Sequence, residues 1–263
     1  MKITLITSDQ PRHIYFANLL NTICSDFFLI QEKKLKVDDR LNEKNKKLSE
    51  SKKKYFYKVK DAENKVFGEK IKLNKNVTNI LSIKLGQLNK KPLRSLTKFL
   101  NSDFYVVFGS SYIKSDLIDF LIKKKALNIH MGVSPFYRGT DCNFWALNDN
   151  NPHLVGGTIH YISKGLDSGP ILYHAISSMK EDPFLYTMST VKSAFISLVE
   201  KIEKNKIFNH KPINQDKKRE IRYSKKNDFD EKVVCNFLGK KIDLNSKKFD
   251  NNMLINPYLL NSL

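Results

Sequence analysis

The chain has 263 residues, of which 41% are hydrophobic, enough to fill one sizeable core with room for a small appendage. Forty-six Lys and Arg against 27 Asp and Glu give a net charge of +19, but Lys greatly outnumbers Arg, so the charge reads as compositional and a nucleic-acid partner is not expected; a smaller anion such as a nucleotide fits either way. No apolar stretch approaches eighteen residues and MKITLITSDQ lacks the apolar centre of a secretory leader, so a cytoplasmic protein with no membrane partner is expected.

In chain order, Ile3–Thr7 reads as a short buried strand. A turn at Ser8–Pro11 follows, then a helix carrying Ile14, Phe16, Ala17, Leu20 and Ile23 at helical spacing, and a second strand over Asp26–Gln31. This is how a parallel α/β sheet begins. No Gly-x-Gly-x-x-Gly turn follows the first strand, since the first glycine is Gly68. Residues 31–60 are charge-dense, with twelve Lys and Arg against five Asp and Glu, and read as a solvated helix. It continues into a face made by Tyr55, Phe56, Val59, Ala62, Val66 and Phe67, which predicts packing on the body. Residues 74–101 read as helical with a break near Asn89–Pro92. Phe104–Phe108 is a continuous apolar run and predicts a central strand. It ends in Gly109–Ser115, and a helix over Asp116–Lys124 leads to a strand over Ala126–His130.

A short helix with Trp145 and Leu147 turned inward is expected next, then a strand over Val155–Ser163. The glycine-rich turn Lys164–Pro170 links it to ILYHAISS as a hairpin or bent loop. Pro183–Lys204 is an amphipathic helix. The polar remainder from Asn209 predicts one helix, within NDFDEKVVCNFLGKKI. The chain divides as a domain over 1–208 and a C-terminal extension over 209–263. Cys24, Cys142 and Cys235 lie far apart with no Cys-x-x-Cys, so neither a disulfide framework nor a zinc site is expected, and no metal is implied.

Asn128 and His130 lie two apart on one strand and point to the same side, at the strand's carboxyl end, where open α/β sheets bind ligands. An amide N–H can stabilise a developing oxyanion, and an imidazole can carry a proton near neutral pH. Asp167, in a turn between Gly165 and Gly169, can orient that imidazole. Each residue alone has a structural explanation; together they suit attack on an activated carbonyl. No Ser or Cys sits in a nucleophile-elbow context, so the nucleophile belongs to the substrate.

These residues carry a resemblance. Asn128-Ile-His130, Pro135-Phe-Tyr137-Arg138-Gly139, Gly157-Thr-Ile-His160 and Gly165-Leu-Asp167-Ser-Gly169-Pro170-Ile171 occur in one order over residues 104–176. Together they resemble the signature of the folate-dependent formyltransferases. That family includes methionyl-tRNA formyltransferase, glycinamide ribonucleotide transformylase and the N-formyltransferases of nucleotide-linked amino sugars. The resemblance implies a Rossmann-like, mostly parallel α/β sheet flanked by helices, and N10-formyltetrahydrofolate as co-substrate. It implies that Asn128 holds the formyl oxygen, that His130 polarises or protonates as the amine attacks, and that Asp167 keeps His130 charge-competent and helps move protons. Gly109, Ser110, Ser111, Tyr112 and Ile113 align with the loop that holds the pterin ring, largely through backbone groups. His160 matches a mostly structural position, and His13, His153, His174 and His210 have no partner in the sequence reading. MGVSP stands where relatives commonly read SLLP, and the first strand lacks the glycine-rich turn of several relatives.

The similarity is greatest to the amino-sugar enzymes, so the expected acceptor is a primary amine of a nucleotide-linked amino sugar in surface polysaccharide synthesis. Trp145, Tyr137 or Phe136 would then be available to stack on a base or sugar. A methionyl-tRNA formyltransferase, a formyltetrahydrofolate hydrolase and a folate-binding non-enzyme remain alternatives, and a homodimer is possible.

Overall fold

Residues 1–33, 49–244 and 252–260 are described by the computed structural model. The chain starts as β1 (Lys2–Ser8), α1 (Pro11–Asn21) and β2 (Asp26–Lys33). β1 pairs in parallel with β2 on one side and β4 (Phe104–Phe108) on the other. Six of its seven residues are buried, which is why its sequence is a run rather than an alternation. Pro11 opens α1, where a helix needs no N–H from it.

α2 (Glu50–Phe67) starts at Ser49, whose Oγ accepts from Lys52 N at 3.4 Å. The helix packs on the body through Tyr55, which meets Phe144, Phe184, Phe229 and Phe237 edge-on. Phe56, expected on the same face, instead is 47% exposed. The part of the charge-dense segment over 34–48 lies outside the described residues.

The helical expectation over 74–101 needs correction. Asn79–Lys84 is strand β3, paired in parallel with β2, and tight 3-10 turns occupy Leu88–Lys90 and Leu93–Leu100. The segment NILSIK alternates between half-buried and exposed positions because it is a sheet edge. Its apolar residues are too few to separate a period of 2 from one of 3.6.

α3 (Ser115–Lys123) and β5 (Leu127–His130) follow as expected. Then come β6 (Tyr137–Gly139), α4 (Cys142–Asn148), β7 (Gly157–Tyr161), β8 (Ile171–Ser177) and α5 (Pro183–Glu203). Beyond α5 lie β9 (Arg222–Ser224), α6 (Glu231–Gly239) and β10 (Tyr258–Leu260). The main sheet has the order β10-β8-β7-β5-β4-β1-β2-β3, antiparallel where β7 meets β5 and β8 and parallel elsewhere. This is the expected Rossmann-like α/β sheet flanked by helices. On one face Phe16 of α1 stacks on Phe195 of α5 at 4.3 Å; on the other Leu88, Leu96, Leu117 and Leu121 form a second buried cluster.

The residues after α5 hold more than the one helix expected. Ile213 bridges Ile171, β9 pairs with β6, and β10 extends the main sheet beside β8. Strands of three residues leave too short a pattern to read. Gly139 shows how closely this part is joined: its φ is +94°, and a Cβ there would land on the Ser224 backbone carbonyl.

Candidate active site

β5 delivers Asn128 and His130 to the carboxyl edge of the sheet, and β7 runs antiparallel beside it with Asn128 opposite His160 and His130 opposite Thr158. His160 donates from Nδ1 to the Tyr161 carbonyl at 2.8 Å, which leaves Nε2 as the acceptor for Asn128 Nδ2 at 3.0 Å. The second Asn128 N–H points to Asp167 Oδ1 at 3.3 Å. Asp167 Oδ2 lies 3.2 Å from His130 Nδ1. His130 Nε2 lies 3.2 Å from the Tyr137 carbonyl, so an imidazolium there has an acceptor for each N–H. The structure therefore brings Asn128, His130 and Asp167 together and adds His160, which the sequence reading set aside as structural. The signal was present: Thr158 and His160 repeat, on the partner strand, the two-apart spacing of Asn128 and His130.

Burial disfavours the His130 imidazolium, but the Asp167 carboxylate and the Cys142 sulfur outweigh it, and the His130 pKa stands well above its ordinary value. Burial likewise opposes the charge on Asp167, yet His130 holds its pKa well below the usual carboxylate range. The pair thus rests as imidazolium and carboxylate. Cys142 is buried at the start of α4, packed behind the cluster. A Cβ added at Gly132 would come within 2.5 Å of the Cys142 Cβ and 2.6 Å of His130 Nε2. Asn128 and Asp167 are partly open, with His130 buried behind them.

Gly109–Ile113 leaves the carboxyl end of β4 beside this cluster. Gly109 turns at φ +61°. Ser111 donates from N and Oγ to the buried Glu32 carboxylate at 2.6 and 2.8 Å, and Gly86 N donates to the same group at 2.8 Å. Tyr112 is exposed, and its OH donates to the Lys164 carbonyl at 2.6 Å, which ties this loop to the Asp167 turn. Ile113 is buried. Glu32 gave no signal in the sequence, because its partners lie on two distant loops.

Three aromatics are open to two readings in the sequence, core or stacking platform. Trp145, Tyr137 and Phe136 are buried at 3%, 0% and 4% exposure, with the guanidinium groups of Arg222 over Trp145 and Arg219 over Phe136. They are core and offer no platform to a ligand. Histidines without a sequence partner have structural ones: His13 Nδ1 bonds Thr7 Oγ1, His174 sits between Ser134 and Ile255, and His210 lies against Tyr173. A surface hollow of about 800 Å³ lined by Asp26, Asn79, Arg94 and Lys98 lies at the amino ends of β2 and β3, away from the cluster. Among the described residues no three His, Cys, Asp or Glu side chains gather as a metal site, and no helix is long and apolar enough to cross a membrane.

Two curated relatives are methionyl-tRNA formyltransferases. That of Thermodesulfovibrio yellowstonii is 34% identical over 92 residues, covering 35% of this chain and 30% of its own length. That of Finegoldia magna is 34% identical over 97 residues, covering 36% and 30%. The chain thus spans less than a third of these relatives. Solved structures share the fold at lower identity. A sugar N-formyltransferase from a Shewanella species has a TM-score of 0.54 at 18% identity, covering 87% of this chain and 78% of that one. A 4-N formyltransferase from Francisella tularensis has a TM-score of 0.54 at 16% identity, covering 87% and 77%. An N-formyltransferase from Helicobacter canadensis, solved with folinic acid and dTDP-3-aminofucose, has a TM-score of 0.50 at 13% identity, covering 96% and 85%. The Formyl transferase family model matches residues 35–195, more than half of the sequence and the span that holds Asn128, His130 and Asp167, and the chain belongs to that family.

Proposed function

We propose that this chain transfers a formyl group from N10-formyltetrahydrofolate to a primary amine of a nucleotide-linked amino sugar. The observation that carries the transfer chemistry is the cluster itself. A carboxylate and an imidazolium 3.2 Å apart adjoin an amide donor, all at the carboxyl edge of the sheet. The donor supplies an activated formyl carbon. Asn128 donates to the formyl oxygen as negative charge grows on it, and the His130 imidazolium adds the positive charge that stabilises it. The amine nitrogen bonds to the formyl carbon, the C–N10 bond breaks, and the departing N10 takes the Nε2–H that His130 passes from the Tyr137 carbonyl, which leaves tetrahydrofolate. Asp167 keeps His130 charged and is the nearest base for the proton released by the attacking amine. The exposed Tyr112 ring on the loop and the exposed Leu166 on the turn offer apolar surface that suits a flat pterin, and Gly109–Ile113 offers backbone groups there.

The amino-sugar acceptor is supported by the Helicobacter canadensis protein, solved with an aminosugar nucleotide, which shares the fold over 96% of this chain. Methionyl-tRNA is the second reading, favoured by the names of the curated relatives. The test follows tetrahydrofolate release by absorbance with no acceptor, with a panel of nucleotide-linked amino sugars, and with charged initiator tRNA. Release that depends on one amino sugar, with one formyl added to its mass, is expected. Release with tRNA alone overturns the acceptor, and release without acceptor makes the chain a hydrolase. No release under any condition defeats the transfer reading for these acceptors.

A further inference from the structure

Asp167 is a non-glycine residue at φ +46°, an uncommon conformation. Its side chain aims at Asn128 and His130 only if the turn keeps that shape. The turn is held from outside. Gln215 donates through Nε2 to the Asp167 carbonyl at 2.8 Å and the Gly169 carbonyl at 2.9 Å, bracketing the turn on both sides of Ser168. Arg138 donates to the preceding carbonyl, Leu166, at 3.0 Å. Arg138 is in turn paired with Glu220 at 3.0 Å and lies over the Tyr223 ring. Gln215, Glu220 and Tyr223 all belong to the segment after α5, and the Ile213–Ile171 bridge fastens that segment directly beyond Pro170. Two carbonyls of the turn, those of Asp167 and Gly169, are therefore bonded by a residue more than forty positions away, and a third, that of Leu166, by an Arg138 that the same segment pairs.

We propose that Gln215 is a positioning residue for Asp167, and that the segment over 213–223 completes the active site by clamping the backbone of the Gly165–Gly169 turn. This rests on Asp167 working in the cluster, as proposed above. With the clamp, the carboxylate stays against His130 while its other oxygen meets Asn128. Without it, the turn relaxes toward an ordinary backbone conformation and the carboxylate withdraws. The groups facing His130 are Asp167, Cys142 and the Tyr137 carbonyl, with His174 of β8 within electrostatic reach, and His160 faces Asp167. Of these, only Asp167 sits on a part held by Gln215.

The test uses the full chain with Gln215→Glu, which keeps the shape and loses both N–H donors, and Gln215→Met, which loses them without adding charge. Histidine NMR titrations read His130 directly. Both variants should move the His130 titration down toward its ordinary value and lower kcat by about tenfold or more with the donor KM nearly unchanged. An unmoved His130 titration in a folded variant overturns the proposal whatever the activity does. So does a loss of activity that only tracks the unfolded fraction. A shifted titration in a chain that transfers no formyl group leaves the clamp standing and defeats the functional reading instead.

Discussion

His174 on β8 is fully buried and neutral by construction. Its Nε2 donates to the Ser134 carbonyl at 2.8 Å, and its Nδ1 accepts from Ile255 N at 2.9 Å. Protonating Nδ1 would set one donor against another, and burial adds to the cost. Burial is the leading cause that brings its pKa down from 6.5 to about 4. The unfolded chain binds this proton below pH 6.5, while the folded chain does not until about pH 4. Over that window the unfolded state holds more protons, so stability falls as pH falls, by about 3 kcal/mol in all at 1.36 kcal/mol per pKa unit. His130 does not contribute in this window: its raised pKa leaves it protonated in both states below pH 6.5, and its stabilisation is lost only as pH rises through the raised value. Asp167, with its pKa depressed, costs stability only as the pH nears the unfolded carboxylate range. The variant His174→Gln offers an amide donor to Ser134 and an amide acceptor to Ile255 without titrating. Urea unfolding at half-unit steps from pH 7.5 to 4.5 should show the wild type losing stability relative to the variant, most steeply below pH 6. Parallel curves for the two proteins would refute the assignment.

Gly139→Ala should cost roughly 2 kcal/mol or more, because the new Cβ meets the Ser224 carbonyl at a positive φ, and β9 should become the first site of limited proteolysis. Wild-type urea stability together with wild-type proteolysis would show that β6 and β9 part without consequence. His130→Ala and Asp167→Asn should each lower the turnover number by about 10²- to 10⁴-fold with the fold retained by circular dichroism. Near-normal turnover in either purified variant removes that residue from the mechanism.

Much of the site was legible because its residues are local. Asn128 and His130 share a strand end, so spacing places them on one side of β5, and Asp167 joined them through the ordered motifs that carry the family resemblance. Gly169 is required for a reason the sequence does not show: a Cβ there would strike the Tyr161 carbonyl. The parallel centre of the sheet was legible because β4 is an unbroken apolar run and β1 a short run of Ile, Leu and Thr. β3 was not, since its edge position leaves it half exposed, and β9 and β10 were not, since each has three residues. Glu32 and Gln215 escaped for a shared reason. Each meets partners on other elements, and Gln215 meets backbone carbonyls, which carry no residue identity at all.

Asn128 offers the sharpest separation between binding and catalysis. Both its N–H groups are engaged at rest, one by His160 and one by Asp167. A neutral formyl oxygen competes poorly for a donor already bonded to a carboxylate, so ground-state binding gains little from this amide. An oxygen gathering negative charge competes well, so the gain arises as the reaction proceeds. An interaction made mainly in the transition state lowers the barrier without tightening the substrate complex. Asn128→Ala should therefore reduce kcat by about 10²- to 10³-fold while the KM of the formyl donor stays nearly constant. A variant with normal kcat and a raised KM would mean that Asn128 grips the substrate equally in both states. The hydrogen bonds to His160 and Asp167 would then be structural rather than a reserve for the oxyanion.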